Sequence, residues 1–324
     1  MINNLDNIKI ITQLDECKDI IKKDLGNNIY SYNFSRNVFY KDLWNDLTCK
    51  ARGLFINKTD NTIIARSYDK FFYISDINTF HYPVRAFVKE NGFLGILSWD
   101  VQNDKPFIAS KTTNIGKHVE IFEKRLKELV KDKNYLTQRL ANWNDLCDFL
   151  RMNNVSMVFE VVDIIDDPHI ISYNSSSAVL LDIIYNDFNF HKYTYKELQD
   201  IAHTFDIPCK YLCKTLNNKE ELSKWLEEVT SPTYRNELEG YVLEDSSGFM
   251  CKVKTPFYNL WKRARSLRDY IVRGKEIVSS DIRSAEELDI YRFLLTVPVE
   301  VLKEMSVPIL RDRYYFEKMK DEKF

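Results

Sequence analysis

Val84-Arg85-Ala86-Phe87-Val88-Lys89-Glu90-Asn91-Gly92 is a stretch in which an apolar segment ends at a lysine and a turn follows. The apolar residues predict a β-strand over Val84–Lys89, and Gly92 predicts the turn. A second apolar run at 93–99 predicts the next strand. Taken alone, a lysine before a turn is far more often a surface feature than a chemical group. The rest of the sequence must therefore decide what Lys89 does.

A carboxylate lies inside another predicted strand, at 155–165. That run is apolar on both faces, so the strand should be buried. Glu160 shares one face with Val158 and Val162. A buried carboxylate needs a cation or a ligand, because burying an unpaired charge is costly. An internal salt bridge and a ligand contact are both open at this point.

Two further lysines lie on a predicted hairpin with strands at 239–244 and 249–255. Lys252 and Lys254 are two residues apart, so they point to the same face. Two ammonium groups on one face repel unless an anion lies between them. The alternative is an exposed strand edge that lysines protect from aggregation. Glu239 opens the partner strand, where its carboxylate can approach these lysines or a metal ion.

Three lysines and two carboxylates on predicted strands would form one coherent site for a nucleoside triphosphate. Lysines neutralise phosphates, carboxylates hold Mg²⁺ or a ribose hydroxyl, and an aromatic ring stacks on the base. A lysine amine has an ordinary pKa of about 10.4 and is a poor nucleophile while protonated. Nearby cations and a metal would lower that pKa and favour the free amine that attacks phosphorus.

The other patterns predict an α+β chain whose last part is helical. Helical spacing after residue 258 places a domain boundary near residue 260. Capping pairs predict three helix starts, at Thr194 with Glu197, Asn217 with Glu220, and Ser284 with Glu287. The remaining predicted elements are a helix at about residues 15–23, a hairpin from 53–57 and 62–67, two helices between 117 and 153 that include Leu136 and Leu140, and a strand at 178–185.

Composition limits the class of protein. The chain has 324 residues, 44% of them apolar, and a formal net charge of −2. Any nucleic acid must therefore be held by a local basic patch rather than by bulk charge. The six cysteines form no C-x-x-C pair, so a zinc site is not expected. The sequence has no apolar run of membrane length and no secretory pattern at its start, so a soluble, intracellular protein is expected.

The order of the motifs resembles the covalent nucleotidyltransferase superfamily of polynucleotide ligases and mRNA capping enzymes. The motifs are Lys89-Glu90-Asn91-Gly92, Phe159-Glu160-Val161, Glu239-Gly240-Tyr241-Val242 and Lys252-Val253-Lys254. Two upstream segments are similar to the bacteriophage type 1 RNA ligases and to the ligase domain of fungal tRNA ligase. These are Ala51-Arg52-Gly53-Leu54-Phe55 and Ala65-Arg66-Ser67-Tyr68-Asp69-Lys70-Phe71-Phe72.

The resemblance implies a fold and a reaction. The fold is an α+β nucleotidyltransferase domain, residues 1–260, with antiparallel sheets around an ATP cleft, and a small all-helical C-terminal domain, residues 261–324. The implied cofactors are ATP and Mg²⁺ (or Mn²⁺). The implied substrate is RNA with 5′-phosphate and 3′-hydroxyl ends, and cleaved tRNA is one candidate. Because no kinase or phosphodiesterase module is recognised, we expect either that enzymes on other chains heal the RNA ends or that the ends arrive already prepared.

The resemblance also assigns roles to the motif residues. Lys89 would form the covalent lysine–AMP, and Glu160 would contact the adenosine ribose. Glu239 would help bind the catalytic metal. Lys252 and Lys254 would contact the α-phosphate and assist its transfer.

Three upstream basic residues and one departure complete the implied site. Arg52 and Lys70 would contact phosphates of ATP or of the RNA end, and Lys111 resembles a further basic position of the group. Many ligases have an aspartate where this chain has Asn91. The fungal type also tolerates asparagine there, so the change is not expected to inactivate the enzyme.

A basic cluster just past residue 260 is the candidate RNA contact. It contains Lys262, Arg263, Arg265, Arg268, Arg273 and Lys275, with Trp261 and Tyr270 interleaved, and the first four are the predicted RNA-binding residues. Cations with aromatic neighbours are typical of a phosphate-contacting patch, and a solvated helix face is the alternative. Two rival functions also stand: a capping guanylyltransferase, which would use GTP, and a catalytically inactive RNA-binding relative.

Overall fold

A computed structural model describes residues 4–130 and 142–321 of the chain. The helices are α1 Asn4–Glu16, α2 Arg36–Lys41, α3 Asp46–Lys50, α4 Lys117–Leu129, α5 Trp143–Asn153, α6 Tyr195–Thr204, α7 Lys219–Thr230, α8 Pro256–Val272, α9 Ala285–Thr296, α10 Val299–Glu304 and α11 Val307–Asp321. The strands are β1 Ile20–Asp24, β2 Ile29–Phe34, β3 Leu54–Asn57, β4 Thr62–Arg66, β5 Phe72–Tyr73, β6 Val84–Lys89, β7 Phe93–Asp100, β8 Lys105–Ser110, β9 Val155–Val162, β10 Ser177–Tyr185, β11 Leu212–Leu216, β12 Gly240–Glu244 and β13 Met250–Lys254. Two short 3₁₀ helices lie at Ile77–Thr79 and Ser279–Asp281.

The chain divides into two compact units that alternate along the sequence. The first unit contains Met1–Phe72, Phe93–Val161 and Ser176–Lys210. The second contains Tyr73–Gly92, Val162–Ser175 and Tyr211–Phe324. Neither unit ends at residue 260, and α8 passes through that position without a break.

The first unit is built on two four-stranded sheets. Their orders are β1-β2-β3-β4 and β10-β9-β7-β8, and the pairs that β7 makes with β8 and β9 are antiparallel. Helices α4, α5 and α6 cover the second sheet, with Phe122 against Phe159 in its core. Phe55 and Ile96 belong to a further core cluster of this unit. The buried pattern of β9 confirms the prediction of a strand that is apolar on both faces.

The second unit combines one sheet with a helical segment. The sheet has the order β11-β6-β12-β13-β5, and the pairs of β6 with β12 and of β12 with β13 are antiparallel. Helix α7 packs on it through Trp225. Helices α8 to α11 enclose a separate apolar core around Trp261, which also contains Ile170 and Ile171. The antiparallel sheets and the helical C-terminal region confirm the predicted fold class.

One predicted helix is wrong. Residues 15–23 were expected to be helical, but α1 ends at Glu16 and Ile20–Asp24 is strand β1. Helix α1 lies earlier because Ile11 and Leu14 supply its buried face. The following segment pairs residue by residue with β2, and this long-range pairing overrides the local spacing of its apolar residues.

The other local predictions differ only at their edges. Thr194 and Ser284 cap α6 and α9 as expected. The cap of α7 is Asn218 with the amide of Glu221, one residue later than predicted. Helix α5 begins at Trp143, whereas Leu136 and Leu140 lie outside the described residues. In the described part of the chain, no helix has the length and apolarity needed to cross a bilayer.

Candidate active site

Lys89 lies at the end of β6, beside the start of the β12–β13 hairpin. Across these three antiparallel strands, Lys89 pairs with Gly240, and Gly240 pairs with Lys254. Glu239 directly precedes β12. The register therefore brings Lys89, Lys254 and Glu239 together at the same end of these neighbouring strands, although they are far apart in sequence.

Gly240 allows the hairpin to close tightly at this end of the strands. Its φ is 150°, and an added Cβ would lie 2.0 Å from the carbonyl oxygen of Val253 and 2.9 Å from the Cα of Lys254. No side chain fits at such distances, so only glycine permits this approach of the two strands. The Glu-Gly pair is thus a structural requirement as well as a chemical one.

Glu239 is the ionic centre of the site, with 4% of the residue exposed. Its Oε1 lies 2.7 Å from Lys89 Nζ and also accepts from Lys254 Nζ. Its Oε2 accepts from the side-chain amide of Asn91. Burial acts to raise the pKa of Glu239, but the two lysines outweigh it and hold that pKa below the usual value. The carboxylate is therefore ionised at neutral pH.

Lys254 is held beside Glu239 in surroundings that disfavour its charge. Burial lowers its pKa to about 8, and the cations Lys89 and Lys262 act in the same direction, while Glu239 opposes them. Its Nζ lies 4.3 Å from the ring centroid of Tyr258. A second anion, such as a phosphate, would relieve the repulsion between these cations.

Lys252 projects from the same face of β13 as Lys254, as the alternation of the strand predicted. The burial pattern of β13 leaves both lysines partly exposed and buries Cys251 and Val253. Lys252 Nζ lies 4.8 Å from the ring centroid of Tyr73. The two lysines are thus each placed over an aromatic ring, on the face that a ligand could approach.

Asn91 uses its whole side chain in the site. Its Oδ1 accepts from the backbone amides of Ile170, at 2.9 Å, and Ile171, at 3.1 Å, and its Nδ2 donates to Glu239. Its own amide donates to the hydroxyl of Tyr173 at 2.7 Å. An aspartate could accept the same two amides but could not donate to Glu239. The asparagine that departs from the common ligase motif is therefore matched to its surroundings.

The first unit holds a second predicted set, in which three cations lie together. The pKa of Lys111 is lowered to about 8 by burial, with Arg52 and Lys70 adding to the effect. Burial also lowers the pKa of Arg52, while Glu160 acts to raise it. Within the described residues, no carboxylate forms an ion pair with any of the three cations. Such a cluster can bind an anion with several negative charges, such as a chain of phosphates.

Aromatic rings surround this cation cluster of Arg52, Lys70 and Lys111. Lys70 Nζ lies 4.1 Å from the ring centroid of Phe72 and 4.8 Å from that of Trp44. Lys111 Nζ lies 4.5 Å from the ring of Phe34, which packs edge-on against Trp44. The rings bury the lysine stems and favour the charged heads weakly, so they orient the cations without neutralising them.

Replacing Lys111 with methionine should stabilise the protein at neutral pH. Below pH 8 the ammonium is present in both states, so its unfavourable burial counts fully against the folded state. Between about pH 8 and pH 10.5 the folded protein releases the proton first, so wild-type stability rises with pH. Lys111→Met should therefore melt a few degrees higher at pH 7, and the difference should shrink toward pH 10. Thermal melts across this range test it, with the exposed Lys105→Met on β8 as control. A variant that melts lower at pH 7 would contradict the argument.

Helix α8 carries the four predicted RNA-binding residues but divides them between two surroundings. Arg263 donates to the backbone carbonyl of Asp281, and its Nε lies 3.7 Å from a carboxylate oxygen of Glu287. Arg268 donates to the carbonyl oxygen of Met305 at 2.6 Å. These two arginines hold α8 to the segments that follow it. An RNA contact by these two arginines stays a prediction, and such a contact would compete with the bonds described here.

The other two cations of α8 lie on the side of the lysine–glutamate site. The charge of Lys262 acts on Lys254, and the charge of Arg265 acts on Tyr258. Lys262 is exposed and Arg265 is half-buried. Spacing of three residues puts them on one stripe of the helix, so they extend the positive region beyond the hairpin.

Sequence reasoning missed several side chains of the site. Tyr258, Tyr73 and Tyr173 were not predicted, although each contacts a predicted residue or its motif. Tyr258 could have been found, because it follows Lys254 by four residues and opens α8 on the same side. Tyr173 carries no comparable sequence pattern, because only the folded loop brings it to Asn91.

Glu239 is a buried, ionised carboxylate that could bind a metal ion here. Within the described chain no group of three or more histidine, cysteine, aspartate or glutamate side chains stands close enough together to hold a metal ion. Mg²⁺ commonly binds through one or two carboxylates and completes its shell with substrate phosphates and water. The donor set thus fits a metal that arrives with a phosphate ligand rather than a resident protein-only site.

Comparison with known proteins identifies the class to which this geometry belongs. The profile of a family described as RNA ligase matches residues 50–258. No curated protein matches the sequence. The structure is similar to an archaeal ATP-dependent RNA ligase (form 1), with 13% identity and a TM-score of 0.58, over 92% of this chain and 77% of that one. It is also similar to a putative ATP-dependent DNA ligase from Aquifex aeolicus, with 13% identity and a TM-score of 0.56, over 96% and 78%. At this identity the likeness concerns the fold alone.

Proposed function

The chain belongs to the RNA ligase family, and on that premise we propose that it is an ATP-dependent ligase that joins RNA ends through a Lys89–AMP intermediate. One observation carries the proposal. Lys89 is in register with Gly240 and Lys254, and its Nζ lies 2.7 Å from the buried carboxylate of Glu239. An amine held at a strand end between cations and one carboxylate is placed to meet a phosphate.

The reaction would proceed in three balanced steps. Lys89 Nζ, as the free amine, attacks the α-phosphorus of ATP. A nitrogen–phosphorus bond forms, the bond to the β-phosphate breaks, and pyrophosphate leaves while the nitrogen loses a proton. An RNA 5′-phosphate oxygen then attacks the same phosphorus, the nitrogen–phosphorus bond breaks, and Lys89 takes back a proton as AMP passes to the RNA. Finally a 3′-hydroxyl attacks that phosphate, loses its proton and releases AMP.

The second unit supplies the groups for the transferred phosphate. Lys254 and Lys252 would contact the α-phosphate and stabilise the charge that builds up on it. Glu239 would exchange part of its lysine pairing for a divalent ion, Mg²⁺ or Mn²⁺. When bound, such an ion supplies neutralisation of phosphate charge. The lowered pKa of Glu239 supports this role, because the carboxylate stays ionised and available.

The remaining nucleotide contacts are proposed from the family resemblance. Arg52, Lys70 and Lys111 would bind phosphates of ATP or of the RNA end. The lowered pKa of Lys111 supports this role, because burial and the repulsion from Arg52 and Lys70 that lower it would be offset by a bound anion. Glu160 would contact the adenosine ribose. Its position on buried strand β9 gives it a fixed direction.

Labelled nucleotide tests the proposal and its rivals together. The protein is incubated with ATP or GTP labelled at the α-phosphate and with Mg²⁺ or Mn²⁺, then denatured and examined for bound label. Acid-labile label from ATP is the expected result, and mass spectrometry should place it on Lys89. Label from GTP alone would favour a capping-type guanylyltransferase. No label from either nucleotide would leave the inactive RNA-binding relative.

We propose that the RNA binds along the stripe of α8 that carries Lys262 and Arg265. Lys262→Gln with Arg265→Gln should weaken binding of a 5′-phosphorylated RNA strand roughly tenfold and reduce its log–log salt slope by about 1.4. Lysine adenylylation should persist. Filter binding at salt concentrations from about 50 to about 300 mM measures both the affinity and the salt slope. The matched control is Arg292→Gln with Arg313→Gln, which changes the net charge equally on exposed helix positions.

The contrasting pair on α8 sharpens this prediction. Arg263→Gln with Arg268→Gln removes ties to Asp281 and Met305, so it should lower the melting temperature. A salt slope that falls only for this pair, and not for Lys262 with Arg265, would place the RNA elsewhere.

We also propose a division of labour along the chain. Residues 1–260 would carry the groups that react in adenylyl transfer, and residues 261–324 would contribute to RNA selection. The physiological substrate would be broken RNA in repair or splicing, with cleaved tRNA as a candidate. Enzymes on other chains would prepare the 5′-phosphate and 3′-hydroxyl ends.

A further inference from the structure

Arg311 is a buried arginine of the last helix that makes no contact with the proposed catalytic groups. Only 3% of its surface is exposed. Its guanidinium carbon lies 5.2 Å from the ring centroid of Phe257 and 5.8 Å from that of Trp261. The nearest carboxylate, that of Asp312, is 4.0 Å away and largely exposed. A buried guanidinium with so weak an ionic partner needs other acceptors.

Those acceptors belong to one loop of the second unit. Arg311 Nη1 donates to the carbonyl oxygen of Ile170 at 2.8 Å, and Nη2 donates to Ser172 Oγ at 2.5 Å. Both bonds carry the charge of the guanidinium, which makes them stronger than neutral ones. Ile170 and Ile171 are buried in the same apolar core as the helices. The loop is therefore held on this side by α8 and α11.

The other side of the same loop holds the turn after Lys89. The peptide group that joins Ile170 to Ile171 accepts from Arg311 through its oxygen and donates to Asn91 Oδ1 through its N–H. A charged donor on the oxygen polarises the peptide and strengthens the bond that its N–H makes. One peptide group thus connects Arg311 with Asn91, whose amide in turn donates to Glu239.

Tyr173 adds a second connection from the loop to the turn. Its hydroxyl accepts from the Asn91 amide at 2.7 Å and donates to the carboxylate of Glu90 at 2.9 Å. The loop therefore hydrogen-bonds to Glu90 and Asn91, the two residues that directly follow Lys89. Any shift of the loop would move the backbone that carries the nucleophile.

We propose that Arg311 is a positioning residue for lysine adenylylation, acting through the Ile170–Ile171 peptide and Asn91 on Lys89 and Glu239. The proposal rests on the proposed function of Lys89. It also assigns the C-terminal helical segment a part in the first chemical step, in addition to any contact with RNA.

Arg311→Met tests this role in the full-length protein, with Arg313→Met on the exposed side of α11 as the matched control. The measurements are the single-turnover rate of Lys89–AMP formation at saturating ATP, the ATP concentration that gives half that rate, and a thermal melt. A displaced nucleophile should lower the saturated rate roughly 10- to 100-fold. The half-saturating ATP concentration should change little, because the contacts of Arg311 are with the Ile170–Ser172 segment and two aromatic rings rather than with a proposed phosphate-binding side chain. Arg313→Met should match wild type.

Two further variants separate positioning from folding. Arg311→Lys keeps a cation but can serve only part of the two-acceptor geometry, so it should recover part of the rate. It also carries the test if Arg311→Met does not fold. Asn91→Ala should lower the rate similarly, and the double variant should lose little more than the worse single variant, because both lie on one connection.

The contrary results are distinct. A normal saturated rate for folded Arg311→Met, or additive losses with Asn91→Ala, would overturn the positioning role. A lower melting temperature with an unchanged rate would make Arg311 merely structural. Absence of label on the wild-type protein would instead overturn the proposed function, and this inference with it.

Discussion

Lys89→Ala and Lys89→Arg should both abolish the labelled protein–AMP adduct, by a factor on the order of 10⁴ or more, as removal of a covalent nucleophile does elsewhere. Alanine removes the attacking nitrogen. Arginine keeps the positive charge, but its guanidinium stays protonated at any usable pH and cannot attack phosphorus. The two variants together distinguish a nucleophile from a lysine that only binds phosphate, because arginine would preserve part of a binding role.

The measurement is gel autoradiography after reaction with α-labelled ATP, with intact-mass analysis as a second readout. Lys214→Ala is the matched control, because this exposed lysine lies on β11, next to β6 in the same sheet. It should label like wild type. Melting temperatures should fall little for Lys89→Ala, since Glu239 keeps its pair with Lys254. Normal labelling of either Lys89 variant would remove this lysine from the chemistry.

The site residues that lie on strands could be predicted, because the alternation of side chains along a strand depends only on neighbouring residues. A period of two fixes which residues share a face, so Lys252 and Lys254 were placed together and Cys251 was placed on the buried side. The turn after Lys89 and the Glu239–Gly240 pair can likewise be recognised from a few consecutive residues. That β6 lies beside β12 is a long-range pairing, and only the family pattern indicated it.

Other features depend on partners that the sequence does not specify. The sequence does not distinguish the four basic residues of α8 from one another: Lys262, Arg263, Arg265 and Arg268. The structure does, because Arg263 and Arg268 donate hydrogen bonds to segments that pack against α8. Arg311 illustrates the same limit. Its partner loop is more than a hundred residues away, and no spacing rule connects them. The helix predicted at residues 15–23 failed for the related reason that strand pairing decided the conformation.

Glu239→Gln should lower adenylylation on the order of 10³-fold at pH 7 while keeping the shape of the side chain, because it removes the negative charge that would hold a divalent ion beside the reacting phosphate and that keeps Lys89 and Lys254 in place. The amide cannot replace the carboxylate in three respects. It offers no negative charge to Lys89 or Lys254, it brings N–H donors toward their ammonium groups, and it binds a divalent ion poorly. The lysines would then repel each other across the site.

A stability effect is also expected, and its pH dependence identifies its origin. The folded-state pKa of Glu239 is lowered, so its ion pairs stabilise the protein above the ordinary pKa of 4.5 and this stability is lost as the pH falls through the folded-state value. Glu239→Gln should therefore melt several degrees below wild type at pH 7. The gap should narrow at acid pH, where the wild-type carboxylate becomes protonated and neutral as well.

Catalytic and structural losses can be separated by the choice of temperature. Adenylylation is assayed well below both melting temperatures, where circular dichroism shows each protein folded. The exposed Glu237→Gln, two residues away, controls for loss of one negative charge in the same segment and should label normally. If Glu239→Gln regained wild-type labelling on cooling, the carboxylate would serve only to hold Lys89 and Lys254 in place. If labelling stayed low at every temperature, the negative charge itself would be required where nitrogen meets phosphorus, because the shape of the side chain and the fold would be unchanged.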